Sequence, residues 1–314
     1  MKKILGTLAV LLLLLTALSV AICPSWAQPA APAGDQQITL EVGGQKHTCL
    51  VHLPPTQGAT RPLPLVIAFH GSRGNGKGMA KMTGFDALAD KHGFIAAYPD
   101  GLVEPRAWNA LFGRIPGGVG VQGDDVDDVA FVRSLIALLH KSYHTDPNRV
   151  FVCGHSAGAY MAYRLAVELS DQIAAAGVVN GSLGIKSEDG KPVPATIPEP
   201  VAPISLIHIC GKQDRAVKFE GAQTPKNLFK SVPDCIQVFV KADGCAPAAK
   251  ETKDAEHGMI RTRYSGGKAG TEVELVIVEN CGHAWPTEKN GLSASQALWD
   301  FFAAHPKKSD RQEP

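Results

Sequence analysis

A serine between two glycines is the residue of this sequence with the clearest chemical potential. Residues 154–158 read Gly-His-Ser-Ala-Gly; an apolar stretch precedes them and a stretch with helical periodicity follows. A serine on a tight turn between strand and helix has strained backbone angles, so its neighbours two residues away must be almost free of side chains. Such a turn would expose the Ser156 hydroxyl as a nucleophile and place the Ala157 N–H at a helix start, facing an oxyanion. The alternative is a glycine-rich turn that carries a surface serine.

A nucleophilic serine needs a base and an orienting acid, which follow it in the chain order Asp, His when strands and helices alternate. Asp214 comes just after the apolar stretch Ile204–Ile209, and His283 follows the last such stretch. The carboxyl ends of parallel strands meet at one edge of a sheet, so both are expected near the serine. A neutral imidazole can take the serine proton and later return it to the leaving group, while the aspartate fixes its tautomer. Asp243 and Asp254 are rival acids, but neither follows a parallel strand so directly.

The loop after the third predicted strand is rich in glycine and reads HGSRGNG over residues 70–76. Glycines let the backbone approach a developing negative charge, and the N–H of Ser72 is the predicted second oxyanion donor beside that of Ala157. The loop lacks the G-x-x-x-x-G-K-[ST] pattern of a phosphate site. The candidate substrate-binding side chains are Trp108, Trp285 and His155. Packing in the core is the equal alternative for each tryptophan.

Apolar stretches that predict buried strands alternate with stretches of helical periodicity. The predicted strands are 65–69, 94–98, 150–153, 174–179, 204–209 and 272–278, and the predicted helices are 78–92, 126–143, 157–169, 225–242 and 293–304. This order predicts an α/β fold with a mostly parallel central sheet and helices on both faces. Two further strands, 38–42 and 47–53, are expected to form an antiparallel edge.

Two segments stand apart from this pattern. Residues 184–203 contain five prolines and are expected to lack regular structure, as either a lid or a solvated loop. The acidic run at 124–128 precedes a predicted helix, so helix capping is favoured over calcium binding. We expect no metal site and no cofactor.

The first 27 residues have the pattern of an export signal. Lys2 and Lys3 precede an apolar run, and Ser25-Trp26-Ala27 offers small residues three and one before a cleavage point. A retained membrane anchor and, because of Cys23, a lipoprotein are the alternatives. The expected organisation is a signal peptide at 1–27, a Pro/Ala-rich spacer at 28–36, a catalytic domain at 37–305 and a polar tail at 306–314. The protein would then be secreted or periplasmic, without stable membrane insertion after cleavage.

Charge and cysteine content narrow the class further. The formal net charge is +1, from 31 basic and 30 acidic residues, so nothing indicates a nucleic-acid partner. Six cysteines follow the predicted signal, and an even number in an exported chain predicts disulfides. We predict at least one, with Cys245 and Cys281 as the preferred pair because both are expected in loops near the site, whereas Cys153 falls in a central strand.

Longer segments resemble the polyhydroxybutyrate depolymerase/feruloyl esterase family of α/β-hydrolases, with its LpqC-like secreted esterases. The resemblance runs from about Gln37 to His305, and its specific pieces are residues 70–76, 125–136 (DVDDVAFVRSLI), 146–175 and 281–286 (CGHAWP). It implies carboxylic ester hydrolysis without a cofactor, and position by position it supports Ser156, Asp214 and His283 as the triad.

The sequence departs from the family pattern at three places. Family members often carry Asn or Gly where Ala157 and Ala159 stand, which affects the shape of the pocket rather than the chemistry. The segment before the acid is usually closer to H-G-T-A-D, whereas residues 210–214 read CGKQD. Cys281 stands where a glycine is common.

The function expected from sequence is a secreted serine carboxylesterase acting on small-molecule or oligomeric esters, with soluble feruloyl or other hydroxycinnamoyl and short-acyl esters preferred. A polyhydroxybutyrate depolymerase is the main alternative; the catalytic fold takes up nearly the whole mature chain, which leaves no separate module to grip an insoluble polymer. A serine peptidase or a non-catalytic binding protein on the same fold is less favoured.

Overall fold

The computed structural model describes residues 33–55, 61–103, 105–112, 126–188, 191–192, 197–224 and 227–308. Its strands are β1 Gly34–Val42, β2 Gln45–Leu53, β3 Leu63–Phe69, β4 Ile95–Pro99, β5 Thr145–His155, β6 Ala175–Val179, β7 Gly184–Glu188, β8 Lys191–Pro192, β9 Ser205–Gly211, β10 Ala222–Gln223, β11 Asn227–Phe229, β12 Lys250–Asp254, β13 Met259–Tyr264 and β14 Val273–Val278. Its helices are α1 Gly76–Thr83, α2 Phe85–His92, α3 Asp128–Tyr143, α4 Ala157–Glu168, α5 Val232–Asp243 and α6 Ala294–Ala304, with short 3₁₀ turns at Lys268–Gly270 and Glu288–Asn290.

Ten of these strands form one sheet, in the order β1-β2-β4-β3-β5-β6-β9-β14-β13-β12. The six strands in the middle, from β4 to β14, pair in parallel, while both edges are antiparallel. The predicted α/β fold with a mostly parallel central sheet is therefore confirmed, and so is the antiparallel edge formed by the first two strands. The carboxyl ends of β5, β9 and β14 meet at one edge of the sheet, where ligand sites of open parallel sheets lie.

The helices cover both faces of the sheet, as predicted. Alternate residues of β3 show the two layers: Leu65 and Ile67 pack with α3, α4 and α5, whereas Val66 and Ala68 pack with α1, α2 and α6. A strand buried on both faces reads as an uninterrupted apolar run, which is why sequence located the central strands well. Polar caps set the helix starts: the side chains of Asn75, Ser231 and Ser293 accept backbone N–H groups at the first turns of α1, α5 and α6.

Three boundaries differ from prediction for local reasons. The predicted helix 78–92 is two helices, because Gly84 between them has φ 61°. The predicted helix 225–242 begins only at Val232, since residues 227–229 pair as strand β11 with β7. Residues 34–36 of the predicted spacer belong to β1, where they pair with the end of β2.

The proline-rich segment is also partly regular, which corrects the expectation for residues 184–203. Residues 184–188 form β7, and 191–192 form β8 in a small four-stranded sheet of order β10-β11-β7-β8. Its five prolines lie at position 192 and beyond, so they leave the backbone of β7 free to donate hydrogen bonds. Strands β12 and β13 have no counterpart among the predicted elements, since their exposed alternation of charged residues carries little hydrophobic signal.

All six cysteines after the predicted signal are free thiols, and each is buried. The predicted pairing of Cys245 with Cys281 is absent because the two side chains belong to the cores on opposite faces of the sheet. Burial raises the pKa of both thiols, which favours the unreactive protonated form.

The predicted signal peptide at 1–27 lies outside the described residues, as do positions 309–314 of the predicted tail. Within the described ranges, no helix has the length and apolar character needed to cross a membrane.

The acidic run before α3 is described only from its later half, where it serves the helix start. The Asp127 side chain caps α3 by accepting the N–H of Ala130, and Asp128 Oδ2 accepts the N–H of Asn109 at 2.7 Å. These contacts agree with the capping interpretation for the described part of the run.

Asp128 gives a pH-dependent prediction for stability. Burial raises the pKa of its carboxyl group to about 6, so the folded state holds a proton that the unfolded chain releases nearer pH 4. Asp128 should therefore contribute stability that is lost as pH rises from about 4 to about 7, and Asp128→Asn should remove that contribution. A shift of about two pKa units corresponds to about 3 kcal/mol of differential stability. Denaturant unfolding of both proteins at the two pH values measures this, and a constant difference between them contradicts it.

Candidate active site

The serine predicted as nucleophile lies on a sharp turn between β5 and α4. Ser156 has φ 54° and ψ −119°, a left-handed conformation that is rare outside glycine. Its N–H donates to the carbonyl of Val179 on the neighbouring strand β6, and its carbonyl accepts the N–H groups of Ala159 and Tyr160 at the start of the helix. Strain of this kind persists only where the surroundings impose it, and it is common at functional sites.

Both glycines of the turn are required by contact. A Cβ on Gly154 would lie 2.1 Å from the carbonyl oxygen of Gly158, and a Cβ on Gly158 would lie 2.0 Å from the carbonyl oxygen of Phe69 in β3. Backbone atoms at these distances cannot give way as a flexible side chain could. The turn therefore packs against the end of β3, which brings it beside the loop at 70–76.

We expect Gly158→Ala to push the helix away from β3, lower the free energy of unfolding by about 1–3 kcal/mol and reduce turnover. The matched control is Gly78→Ala in α1, whose Cβ would meet only Asn75 Oδ1 at 3.3 Å. Since alanine favours helix over glycine, the control should be neutral or stabilising. Thermal unfolding and ester hydrolysis of both variants measure the effect, and wild-type values for Gly158→Ala contradict the packing argument.

The three residues predicted to act together are in contact at the carboxyl edge of the sheet. His283 Nε2 lies 2.9 Å from Ser156 Oγ, and His283 Nδ1 lies 2.7 Å from Asp214 Oδ2. The carboxylate and hydroxyl thus engage opposite nitrogens of one ring, as proton transfer from a serine requires. The Asp214 side chain is 3% exposed and that of His283 is 27% exposed, so the acid is shielded while the histidine reaches solvent.

Asp214 is held by the turn that it begins. Its Oδ1 accepts the backbone N–H groups of Ala216 and Val217 at 2.8 and 2.9 Å, which leaves Oδ2 for the histidine. The rival acids make different contacts: Asp243 Oδ2 accepts the N–H of Ile204, and Asp254 pairs with a neighbouring histidine. Of the three candidate acids, only Asp214 contacts His283 among the described residues.

Asn180 is a site residue that sequence reasoning missed. It follows β6 with φ 52°, and its Nδ2 donates to the carbonyls of Gly282 and Ala284 at 3.3 and 2.7 Å, on either side of His283. Its Oδ1 accepts the N–H of Gly211 at the end of β9, close to the start of the acid loop. One side chain therefore ties the histidine loop to the acid strand. The available signal was a polar residue directly after a buried strand.

The glycine-rich loop at 70–76 lies against the serine turn. A Cβ on Gly71 would lie 3.3 Å from Ser156 Cβ, so this backbone passes directly beside the nucleophile position. Among the described residues, the N–H groups of Ser72 and Ala157 donate to no acceptor. Two unpaired N–H groups beside a serine are the arrangement that an oxyanion hole needs.

His70 holds the start of this loop through hydrogen bonds at both of its ring nitrogens. Its Nε2 accepts the N–H of Gly101 at 3.0 Å, so Nδ1 carries the proton and donates to the carbonyl of Gly71 at 2.8 Å. Burial lowers the pKa of His70 and favours this neutral form. Trp108 Nε1 donates to the His70 carbonyl at 2.9 Å, which fixes the other end of the residue.

The three predicted substrate-binding side chains are packed rather than open. Trp108 and Trp285 are 5% and 6% exposed, and the Trp285 indole N–H donates to Ser295 Oγ. The His155 ring lies between Trp285 and His283, with ring centroids 6.4 and 5.0 Å away. Burial and the nearby His283 lower the pKa of His155 to about 4, so it is neutral beside the reacting histidine. These contacts favour a supporting position behind the site for all three.

One cluster of possible metal ligands occurs among the described residues, and it lies apart from this site. Asp35, His52 and Asp86 each bring a ligand atom within 4.8 Å of the others. Both ring nitrogens of His52 already contact carboxylates, those of Asp35 and Asp90. Although burial opposes it, these hydrogen bonds raise the pKa of His52, which favours a charged imidazole that cannot bind a cation.

Comparison with known proteins places the chain in a known family. The sequence model of the α/β-hydrolase fold matches residues 123–287, more than half of the chain, and that of esterase PHB depolymerase matches residues 48–189. NocK of Nocardia uniformis subsp. tsuyamanensis, an esterase by name, is 28% identical over 82% of this chain and 76% of its own length. Feruloyl esterase C of Emericella nidulans is 23% identical over 88% of this chain and 89% of its own.

The fold is shared with a solved structure as well. Acetyl xylan esterase from Aspergillus awamori superposes with a TM-score of 0.59 over 85% of this chain and 99% of its own, at 14% identity. The sequence model and the solved structure agree on the α/β-hydrolase fold. The chain belongs to the α/β-hydrolase family, and it resembles the polyhydroxybutyrate depolymerase/feruloyl esterase group.

Proposed function

We propose that this chain is a serine carboxylesterase that hydrolyses soluble esters through an acyl-enzyme intermediate. The observation that carries the proposal is the continuous contact from Ser156 Oγ through the His283 ring to Asp214, on a strained turn beside two unpaired N–H groups. Two relatives that match most of this chain are named as esterases, which supports carboxylic esters as the substrate class.

In the acylation half, Ser156 Oγ attacks the ester carbonyl carbon while its proton passes to His283 Nε2. The carbonyl oxygen becomes an oxyanion, and we assign its stabilisation to the N–H groups of Ser72 and Ala157. Asp214, held by two backbone N–H groups, stabilises the imidazolium and keeps its Nδ1 proton directed inward. When the tetrahedral intermediate collapses, Nε2 returns the proton to the departing alcohol.

In the deacylation half, the same groups act on water. His283 Nε2 takes a proton from a water molecule, whose oxygen attacks the acyl carbon of the Ser156 ester. The second oxyanion uses the same N–H donors, and the proton on Nε2 then passes to Ser156 Oγ as the acid leaves.

The proposed substrates are soluble feruloyl or other hydroxycinnamoyl esters and short-acyl esters, as the name of the Emericella nidulans relative suggests. Hydrolysis of hydroxybutyrate oligomers is the second candidate, favoured by the family model that matches residues 48–189. A panel of p-nitrophenyl acetate, butyrate and octanoate, methyl ferulate, hydroxybutyrate oligomers and a peptide separates them. We expect turnover of methyl ferulate and short p-nitrophenyl esters; clearing of polyhydroxybutyrate with poor turnover of these esters would favour the second candidate.

We further propose that the protein is exported and cleaved after Ala27, on the basis of the charged start, the apolar run and the Ser25-Trp26-Ala27 pattern. N-terminal sequencing of protein from the native host should give Gln28 or a close neighbour as the first residue. Retention of Met1 would contradict export by this route.

A further inference from the structure

A cavity of about 440 Å³ lies beside the glycine-rich loop, and Ser156 is not among its lining residues. Its lining includes Gly74, Asn75, Lys77, Asp100 and Arg106. The volume falls within the range of small-ligand pockets, which is about 300–1,000 Å³. None of the steps assigned to the triad uses this cavity.

The cavity is close enough to the serine for one substrate to reach both. Gly71 passes beside Ser156, and the N–H of Gly74 donates to the Gly71 carbonyl at 3.0 Å. This closes a four-residue turn, whose ends lie less than about 7 Å apart. Gly74, on the rim of the cavity, therefore lies within about 12 Å of Ser156 Cβ.

Two strained arginines border the loop and the cavity. Arg73 has φ 64° and Arg106 has φ 59°, although neither is a glycine. The N–H of Arg73 donates to the carbonyls of Pro105 and Arg106 at 3.0 and 2.9 Å, so each strained residue helps to hold the other. Such conformations are unfavourable for residues other than glycine and cluster at ligand clamps. Here the strain places two guanidinium-bearing residues side by side.

The charges around the cavity are unbalanced. Arg73, Lys77 and Arg106 are exposed, and within the described part of the chain none of their side chains has an ion pair. Asp100 is the acidic residue of the lining, but both of its oxygens are engaged, by Thr48 Oγ1 at 2.6 Å and by the N–H of Gly76 at 2.7 Å. The cavity lining thus carries Lys77 and Arg106 against the one carboxylate of Asp100, and Arg73 is exposed on the neighbouring loop.

We propose that this cavity binds a carboxylate of the substrate, through Lys77 and Arg106 with Arg73 beside them, so that the site prefers anionic esters such as uronate-bearing or hydroxy-acid esters. The inference rests on the proposed esterase function. It concerns recognition only, since none of these side chains touches the triad. Exposed cations attract anions mainly by steering and by solvent-screened contacts, so the preference depends on salt.

The test compares wild type with the double variant Lys77→Gln/Arg106→Gln on two matched pairs of esters. One pair places the charge on the acyl side, as p-nitrophenyl hemisuccinate against p-nitrophenyl butyrate. The other places it on the leaving group, as 4-carboxyphenyl acetate against its methyl ester. Lys81→Gln is the control, because Lys81 is an exposed lysine of the same helix that does not line the cavity.

We expect the double variant to lose about tenfold in kcat/KM for the anionic member of one pair, and to stay within about twofold for both neutral esters. The pair that responds identifies which side of the ester lies in the cavity. High salt should reduce the wild-type rate for that anionic ester alone. Equal losses on neutral and anionic esters, or no loss on either, would overturn the inference. A wild-type protein that hydrolyses none of the four esters would instead contradict the proposed function.

Discussion

Ser156→Ala should reduce ester turnover by several orders of magnitude and abolish the burst of released alcohol. The hydroxyl is the atom that His283 Nε2 contacts at 2.9 Å, and without it no acyl-enzyme can form. Removal of the serine in a protease with the same kind of triad costs about 10⁶ in kcat. His283→Ala should cost about as much, because the residues act as a unit and their losses do not add. Stopped-flow and steady-state assays with p-nitrophenyl acetate measure both quantities.

The matched control for this variant is Ser72→Ala. Ser72 is proposed to act through its backbone N–H, which alanine keeps, so turnover should remain close to that of wild type. A large loss in Ser72→Ala together with a small loss in Ser156→Ala would place the nucleophile in the glycine-rich loop and contradict its assignment to Ser156.

Asp214→Asn should leave the fold intact and lower kcat by about 10⁴, as in the best-studied protease. An asparagine amide can donate to His283 Nδ1, which would place the ring proton on Nε2. The Nε2 atom then faces the serine already protonated and cannot accept the serine proton. The backbone N–H groups of Ala216 and Val217 should still find the amide oxygen, so unfolding should change little. Asp254→Asn is the control, because Asp254 contacts His257 on the exposed hairpin β12–β13.

Wild-type rates for Asp214→Asn would move the acid assignment while leaving the serine in place. Asp243 offers no ready substitute, since its carboxylate is buried against the N–H of Ile204 and burial raises its pKa to about 6. Circular dichroism and thermal unfolding of each variant separate a chemical loss from a folding loss.

The central strands and the chain order of the candidate triad residues could be predicted because both depend on the same buried parallel sheet. A parallel sheet covered on both faces buries every residue of its middle strands, and the polar residues that follow these strands gather at one edge. Ser156, Asp214 and His283 each follow such a strand, so a pattern in one dimension located contacts that span up to 127 positions of sequence.

Sequence reasoning was weaker where contacts, rather than patterns, decide the structure. Gly84 breaks a helix that periodicity alone joins, and β7 forms because its partner β11 lies near in space. The cysteine pairing required knowing on which face of the sheet each side chain falls, and Cys245 and Cys281 fall on opposite faces. The Asn180 side chain likewise makes three hydrogen bonds, to two carbonyls of the histidine loop and one backbone N–H of β9. No local sequence pattern specifies these partners.

Covalent labelling with a fluorophosphonate or sulfonyl fluoride, followed by peptide mass spectrometry, tests the central claim most directly. Such reagents react with a serine only where a neighbouring base and an oxyanion hole activate it. We expect one adduct per chain, on Ser156, with loss of activity in step with labelling and much slower labelling in His283→Ala. An adduct on Ser72 or on any other serine in place of Ser156, or unchanged labelling of Ser156→Ala, would contradict the assignment of the site.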